Sequence, residues 1–298
     1  MKQKNSNSGV FLILEAGVLW GSMGLFVRSL NGLGFDSMQI TAGRLVLAAV
    51  CFWIVLLRFR PAEERRIRLK DLPLFLGLGL ASILFFTVCY FTAISLMPLS
   101  TAAILLYTAP IWVTLLSALL FHETLDARKL LALAMAFGGC ALVSGLGGGG
   151  LTLRGLLIGL GAGVGYGLYS ILGSVALRRY SPYTVTAWTF LIAALGALCI
   201  CRPLDMLQTL LAAPSPGDTA LLFVLTALVT AVAPFLCYTL GLRSVEPGRA
   251  AILATVEPMV ASLLGIFVFH EKLTLTAALG ILLILAAIVL LSLPKKKE

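Results

Sequence analysis

The chain has 298 residues, of which 60% are apolar and 12% are charged, and its formal net charge is +9 at neutral pH. A soluble globular domain carries about a quarter charged residues, so the composition excludes an ordinary water-soluble protein. It indicates instead a polytopic membrane protein, because apolar runs of about 20 residues, long enough to cross a hydrocarbon core, follow one another along the chain.

Ten membrane-spanning helices are predicted, separated by loops too short to form a soluble domain. In chain order they cover 9–28, 37–57, 72–96, 100–121, 129–147, 155–177, 183–201, 219–241, 249–269 and 274–293. The first contains Glu15 and lacks a small-residue cleavage site, so it is expected to remain as a helix and not to be removed as a signal peptide. The predicted fold class is therefore all-α and integral to the membrane.

The excess of positive charge follows from membrane topology. With the amino terminus in the cytoplasm, 17 of the 22 Lys and Arg residues fall on the cytoplasmic side. The positive-inside rule explains this bias without an anionic partner such as nucleic acid. Both termini are therefore predicted to be cytoplasmic, in a multi-pass protein of the cytoplasmic (inner) membrane whose partners are membrane lipid and a small-molecule substrate.

The second half of the chain is a diverged copy of the first. The segment 102–125 reappears at 250–273, displaced by 148 residues, and Pro110 matches Pro258. Both segments end in Phe-His-Glu-x-Leu. A looser match, displaced by 146 residues, relates residues 16–21 of the first helix to residues 162–167 of the sixth. The chain therefore contains an internal duplication.

Five helices per copy make the duplication an inverted one, because an odd number of crossings leaves the chain on the opposite side of the membrane. The predicted units are residues 1–147 and 155–298, joined by a glycine-rich connection at 148–154. Two inverted copies can exchange shapes, which opens a midplane site to either side in turn. Such duplication is typical of secondary transporters, and that function is predicted.

Two carboxylates within the predicted helices are candidates for proton or cation coupling, Glu15 and Glu257. Glu257 precedes Pro258, which removes a backbone donor and is expected to leave a carbonyl free near mid-membrane. For Glu15 the alternatives are a position at the membrane interface or a structural pair with Arg44. For Glu257 the alternative is a hydrogen bond to a neighbouring helix.

Arg44 could bind a substrate carboxylate, or it could neutralise a buried carboxylate or reach a lipid headgroup. Six aromatic residues are candidates for a pocket wall that holds an apolar or cationic solute, with static packing as the alternative: Trp20, Tyr90, Tyr107, Tyr166, Trp188 and Tyr238. A stripe of glycines at 155, 159, 163 and 167 favours close helix packing, with a sliding surface as the alternative.

Nothing in the sequence indicates catalysis, a metal or a cofactor. His122 and Glu123 end the fourth helix, whereas His270 and Glu271 end the ninth on the opposite face, so the two pairs cannot meet at one metal. The six cysteines are interpreted as apolar filler. The absence of a phosphate-binding loop argues against a nucleotide-driven pump.

The chain resembles the EamA family of the drug/metabolite transporter superfamily. The resemblance rests on marks spread over the whole chain: Trp20-Gly21, Arg44-Leu45, Pro110, Glu257-Pro258, Glu123-x-Leu125 and Glu271-x-Leu273. It implies a ten-helix inverted repeat with a central cavity walled by helices 1, 3, 4, 6, 8 and 9, with helices 5 and 10 peripheral. It also implies proton-coupled export of small metabolites such as amino acids. Glu15 departs from the family pattern, which favours a cationic or proton-linked substrate and weakens transfer of a substrate from any relative.

The prediction is thus a secondary transporter and not an enzyme. One alternative is an integral-membrane enzyme acting on a lipid-linked substrate, which would need a convergent catalytic set that the sequence does not offer. Another is a non-transporting scaffold or sensor. A monomer is compatible with the duplication, since one chain carries both copies.

Overall fold

The computed structural model describes residues 6–97, 99–144, 152–270 and 272–292, and all regular structure within these ranges is helical. Ten helices have the length and composition to cross a membrane, and they are called spans 1 to 10: Asn7–Gly32, Ser37–Phe59, Leu69–Leu96, Thr101–Phe121, Ala127–Ser144, Leu153–Ala176, Pro182–Ile200, Pro216–Gly241, Pro247–Phe269 and Leu275–Ser292. The predicted ten-helix membrane fold is confirmed. The predicted connection at 148–154 lies mostly outside the described residues.

Spans 2, 5, 6, 7 and 10 are continuous helices, and local sequence explains where some of them begin. Span 2 starts with a capping box, in which Asp36 accepts hydrogen bonds from the backbone of Met38 and Gln39 at 2.8 Å and the Gln39 side chain accepts one from Asp36. The side chain of Thr152 accepts a 3.1 Å bond from Gly155 at the start of span 6.

Spans 1, 4 and 9 are each broken into two helices. Span 1 consists of Ser6–Gly21 and Met23–Gly32, span 4 of Leu99–Leu106 and Ala109–Phe121, and span 9 of Pro247–Leu253 and Val256–Phe269. Pro110 and Pro258 stand in the first turn of the second helix of spans 4 and 9. A proline there has no N–H to donate to the preceding turn, which accounts for the interruption at the same place in both copies.

Spans 3 and 8 share a different irregularity. Each contains a wider π-helical stretch, Gly77–Leu84 in span 3 and Leu228–Val232 in span 8. The α-helical parts around them are Leu72–Leu76, Phe85–Leu96, Pro216–Ala227 and Ala233–Gly241. At a displacement of 148 residues the two π-stretches overlap and end at the same position, so the duplication extends to backbone geometry. Such bulges are frequent at functional sites.

Three short helices lie in or next to the connections between spans. A single turn of 3-10 helix, Ala62–Arg65, lies between spans 2 and 3, and another, Leu69–Asp71, begins span 3. A ten-residue helix, Pro203–Ala212, connects spans 7 and 8.

His122 and His270, at the ends of spans 4 and 9, adopt matching left-handed conformations with φ of 55° and 54°, which close the last turn of each helix.

The contacts between helices show that the second copy is inverted. Span 5 packs along its counterpart span 10, with Arg128 near the end of span 10 at Leu290, and Gly139, eleven residues later, against Gly280. Contacts that advance along one helix and retreat along the other define an antiparallel pair. Spans 2 and 7 likewise pack on each other, and the contact of span 1 with span 8 is matched by that of span 6 with span 3.

The bundle therefore has two ends. Face A is the end where spans 1 and 9 begin and spans 4 and 10 finish, and face B is the opposite end. At face A, the connection between spans 2 and 3 meets that between spans 6 and 7, where Ser181 donates a 2.5 Å hydrogen bond to Glu64. At face B, Phe35 packs on Phe223 with ring centroids 4.9 Å apart.

Candidate functional site

A small cavity lies at the centre of the bundle, between the broken spans. Its wall comes from spans 1, 3, 4, 6, 8 and 9, through Trp20, Ser82, Ile83, Phe86, Ala109, Pro110, Val113, Tyr166, Gly167, Tyr169, Ser170, Phe235, Tyr238, Ala251 and Ala254. These are the six helices that the resemblance implied. The cavity encloses about 30 Å³, which accommodates about two water molecules. In this conformation the centre is too small for an organic solute.

Aromatic rings from three spans form one side of the cavity. The ring of Trp20 lies 5.0 Å from that of Phe235, 5.3 Å from that of Tyr238 and 6.2 Å from that of Tyr166. Tyr169 packs on Phe235 at 5.1 Å. These five rings are called the aromatic cluster. The structure thus brings together three of the six predicted pocket aromatics. Their geometries are edge-on or tilted, as aromatic pairs prefer.

Hydroxyl pairs fix two of these tyrosines between spans 6 and 8. Tyr238 and Ser170 share a 2.7 Å hydrogen bond, and Tyr169 and Thr239 share another of 2.7 Å. All four residues are buried. A buried hydroxyl without a partner would be costly in this apolar setting, so these bonds set the orientation of the rings.

The glycines of spans 1 and 6 pack on the helix breaks opposite them. A Cβ at Gly21 would lie 2.7 Å from the carbonyl oxygen of Glu257, in the break region of span 9. Its repeat counterpart Gly167 would bring a Cβ to within 3.3 Å of the carbonyl oxygen of Ala109, in the matching region of span 4. In this conformation the glycine stripe is therefore a close-packing surface.

Glu257 lies beside the aromatic cluster at the break of span 9. The hydroxyl of Tyr166 donates a 2.8 Å hydrogen bond to its carboxylate. The carbonyl of Ala254, which Pro258 cannot reach, accepts a 3.0 Å bond from the Glu257 N–H. The expectation of a free carbonyl is therefore corrected, because the chain tightens to a three-residue turn that satisfies this group.

Arg44 is buried on span 2 with few partners. It is 5% exposed, its Nη1 donates to the sulfur of Met23 at 3.0 Å, and its Nε has no partner among the described residues. It interacts electrostatically with Glu257, but no direct ion pair joins them in the described part of the chain. A second small cavity borders Arg44 and is lined also by Ser37, Thr41, Thr226 and Phe91. Two opposite charges therefore lie inside the bundle without touching.

The remaining predicted aromatics lie outside the central cluster. Tyr107 is in the break of span 4 and Tyr90 in the second half of span 3, and both interact electrostatically with Glu257. Trp188 is at face A, where its indole N–H donates a 3.2 Å bond to the carbonyl of Arg65 and its ring packs on Trp53. The arrangement gives no support to Trp188 as a pocket wall, because its polar atom is bound to a surface loop.

Glu15 lies apart from the buried charges Arg44 and Glu257. Its side chain is exposed on the outside of the bundle, next to the Cys237 thiol of span 8. The suggested pair with Arg44 is absent from the described residues. The reason is rotational: Trp20, five residues later on the same helix, points inward, and five residues turn the helix by about 140° beyond a full turn.

Some wall residues were not predicted from the sequence, namely Ser82, Phe86, Ser170 and Phe235. Phe and Ser are common in membrane helices, and the only signal for Ser170 and Phe235 was their place on spans that also carry Tyr166 and Tyr238. No group of three or more His, Cys, Asp or Glu residues that could hold a metal occurs among the residues the structure describes.

Comparison with known proteins gives a consistent result. A family model described as the EamA-like transporter family matches residues 7–145 and again 153–293. An uncharacterized transporter of Archaeoglobus fulgidus is 31% identical over 288 residues, covering 95% of each chain. The uncharacterized transporter YwfM of Bacillus subtilis is 25% identical over 96% of this chain and 94% of its own.

Two further similarities are weaker in sequence or in coverage. A protein of Streptantibioticus cattleyicolor described as a probable terminal-alkyne amino-acid exporter is 26% identical over 61% of this chain and 60% of its own. A solved crystal structure superposes with a TM-score of 0.77 over 95% of this chain and 96% of the other, at 21% identity. The latter similarity concerns the fold alone.

Proposed function

The chain belongs to the EamA-like transporter family, and from that premise we propose that it is a proton-coupled exporter of a small organic solute, acting by alternating access in the cytoplasmic membrane. Membership establishes a multi-pass membrane transporter and points away from an enzyme. The proposed solute is an amino acid or related amine. The name of the Streptantibioticus relative, an amino-acid exporter, supports this class of solute.

The observation that carries the proposal is the pairing of Glu257 with Tyr166 beside the aromatic cluster. A carboxylate hydrogen-bonded to Tyr166, whose ring lies 6.2 Å from that of Trp20, provides charge and π-face attraction for a positively charged amine. The buried Arg44, with an unpartnered Nε, is suited to a carboxylate, because its guanidinium can donate two parallel hydrogen bonds. A solute that carries both groups would satisfy both buried charges.

Competition between a proton and the solute for Glu257 would explain how export of the solute is coupled to entry of protons. A carboxylate that has taken up a proton attracts an ammonium group far less than an ionised one. If the proton and the solute cannot occupy Glu257 together, each transit outward with solute is followed by a return with a proton. The proton gradient across a cytoplasmic membrane then drives export.

The small central cavity implies that the solute binds in a different conformation. A space for about two waters must widen before an amino acid fits. The breaks of spans 4 and 9 and the π-stretches of spans 3 and 8 are interruptions at which helices can bend. Since they occur in matched pairs, either copy can adopt the shape of the other, which opens the site to alternate sides.

The test is solute flux in proteoliposomes loaded with labelled amino acids and amines, with and without an imposed pH gradient. We expect movement of at least one solute, driven by the gradient, and loss of that driven movement in Glu257→Gln. Glu63→Gln, an exposed carboxylate in the loop between spans 2 and 3, is the control. Product formation from a lipid-linked compound without solute movement would show an enzyme instead, and full activity of Glu257→Gln would remove the coupling role.

A further inference from the structure

Face A contains a buried cluster of charges outside the central site. The ammonium of Lys129, near the start of span 5, forms an ion pair with the carboxylate of Glu123 at the end of span 4. The Lys129 and Glu123 side chains are 6% and 5% exposed. Lys129 also lies 3.6 Å from the carboxylate of Glu246, which is 62% exposed and immediately precedes span 9.

The cluster links the two copies. Glu123 and Lys129 belong to the first copy, whereas Glu246 belongs to the second. The backbone of span 9 also rests on the ion pair, because a Cβ at Gly248 would lie 2.9 Å from a Glu123 oxygen and 3.0 Å from Nζ of Lys129. The first turn of span 9 is therefore seated against charged groups of spans 4 and 5.

The internal duplication does not repeat this set of residues at face B. A displacement of 148 residues relates Lys129 to Ala277 and Gly248 to Ser100, so neither the lysine nor the glycine is repeated at the corresponding position. Contacts between the copies at face B include the Arg28 guanidinium, 4.1 Å above the ring of Phe269, and the packing of Phe35 on Phe223. The residues that form the cluster at face A are thus not repeated as a set in the second copy.

We propose that Glu123, Lys129 and Glu246 form a lock that holds face A closed, and that Glu246 and the first turn of span 9 separate from the other two residues each time the transporter opens to that side. The inference rests on the proposed alternating access, because a lock has a role only if face A opens. Span 9 carries Glu257 as well as the docking point at Gly248, so movement of its first turn away from Lys129 couples opening of face A to the central site. The lock favours the conformation in which face A is closed.

The lock is suited to this role because it can open without leaving a buried charge unpaired. A buried ion pair contributes little net stability relative to apolar packing, but an isolated buried charge is strongly unfavourable. The Glu123–Lys129 pair can remain together in the first copy while Glu246 and span 9 move away. Opening then releases the weaker, partly exposed contact and leaves no buried charge alone.

Cysteine accessibility tests the lock without requiring a known substrate. In a background with the six natural cysteines replaced by Ala or Ser, Ser82→Cys places a thiol in the wall of the central cavity. Its rate of reaction with a membrane-impermeant reagent is measured from each side, in vesicles of both orientations. We expect Lys129→Gln to raise the rate from face A by about tenfold. Glu246→Gln should raise it less, about threefold, because that contact is longer and partly exposed.

Two further variants make the result decisive. The double exchange Glu123→Lys with Lys129→Glu keeps a buried ion pair but places a carboxylate at position 129, opposite the carboxylate of Glu246. The two carboxylates repel each other, so the exchange should raise the labelling rate from face A as Lys129→Gln does. Lys70→Gln, an exposed lysine at the same end, should leave it unchanged. If Lys129→Gln does not fold, the exchange and Glu246→Gln decide the matter. If the labelling rates from face A are unchanged in the folded variants, the lock is overturned even if solute flux is observed. Raised labelling rates without any solute flux support the lock and count against the proposed transport.

Discussion

The hydroxyl of Tyr166 donates a 2.8 Å hydrogen bond to the carboxylate of Glu257. Span 6 is thereby linked to the break of span 9 at a point next to the Trp20 ring. This bond holds the Glu257 carboxylate beside the aromatic cluster. The orientation of Glu257 is therefore set by a tyrosine of a neighbouring span.

Removal of the Tyr166 hydroxyl should weaken the coupling of solute movement to the proton gradient, while the protein still folds. Tyr166→Phe keeps the ring that packs near Trp20 and deletes the donor to Glu257. A buried acceptor that loses its partner costs about 1–3 kcal/mol, and we expect gradient-driven flux in proteoliposomes to fall by about tenfold. Tyr238→Phe, which loses a hydroxyl bonded to Ser170 and not to Glu257, is the matched control, and an equal loss of flux in it would show that the bond to Glu257 is not special.

Arg44 should discriminate between solutes by their carboxylate. In Arg44→Gln we expect binding of amino acids to weaken by about ten- to a hundredfold, since the charge-assisted bonds are lost, while binding of simple amines is retained. Arg44→Lys keeps the charge but not the planar pair of donors, and it should recover only part of the affinity. Thermal-shift titration of the purified protein measures both. Parallel losses for amines and amino acids would mean that Arg44 has a structural role.

Gly21 should resist substitution, whereas Gly24 on the same span should not. A Cβ at Gly21 would lie 2.7 Å from the Glu257 carbonyl oxygen and from Val260, and nothing lies within 4 Å of a Cβ at Gly24. Overpacking of this kind destabilises by about 1–3 kcal/mol. We expect Gly21→Ala to lower the unfolding temperature in detergent and Gly24→Ala to leave it equal or slightly higher, because alanine favours the helix. A result in the opposite order would contradict the close contact of spans 1 and 9.

Glu64, in the connection between spans 2 and 3 at face A, should make the stability of the folded protein fall at acid pH. The hydrogen bond from Arg60 is the main cause that holds the pKa of Glu64 below its ordinary value of 4.5, and the Ser181 hydroxyl adds to it. A carboxyl whose pKa is lower in the folded form stabilises that form above its ordinary pKa, and the contribution disappears as the pH falls through the lowered value.

The measurement is the unfolding temperature as a function of pH for the natural protein and for Glu64→Gln. We expect a constant difference above roughly pH 6. The difference should narrow below roughly pH 4.5, where Glu64 in the unfolded chain becomes protonated. A difference that is the same from pH 7 to pH 3.5 would show that the charge of Glu64 does not contribute.

The repeat in the sequence predicted much of the fold. Matching prolines at 110 and 258 correspond to matched breaks in spans 4 and 9, and the odd number of spans in each copy corresponds to the antiparallel packing of span 5 on span 10. The π-stretches of spans 3 and 8 were not predicted. A one-residue widening of a helix has no composition of its own, so its sequence resembles that of a regular helix.

The candidate site was predicted only in part, as the two carboxylates show. Glu15 and Glu257 both lie within apolar helices, yet one is on the outside of the bundle and the other meets Tyr166 inside it. In a soluble helix, the polar face indicates which side meets solvent. In a membrane helix, lipid and protein interior are both apolar, so the pattern of apolar and polar residues does not indicate the direction in which a side chain points.

The sequence by itself determined that this chain crosses the membrane ten times, that its halves are inverted copies, and which prolines interrupt its helices. These properties depend on the length of apolar runs and on the backbone chemistry of single residues, which are local. Only the tertiary structure decided that Tyr166 binds Glu257, that Trp188 lies at a loop, and that Lys129 joins the copies at one end. Each of these depends on the rotation of one helix against another, which close packing of side chains sets.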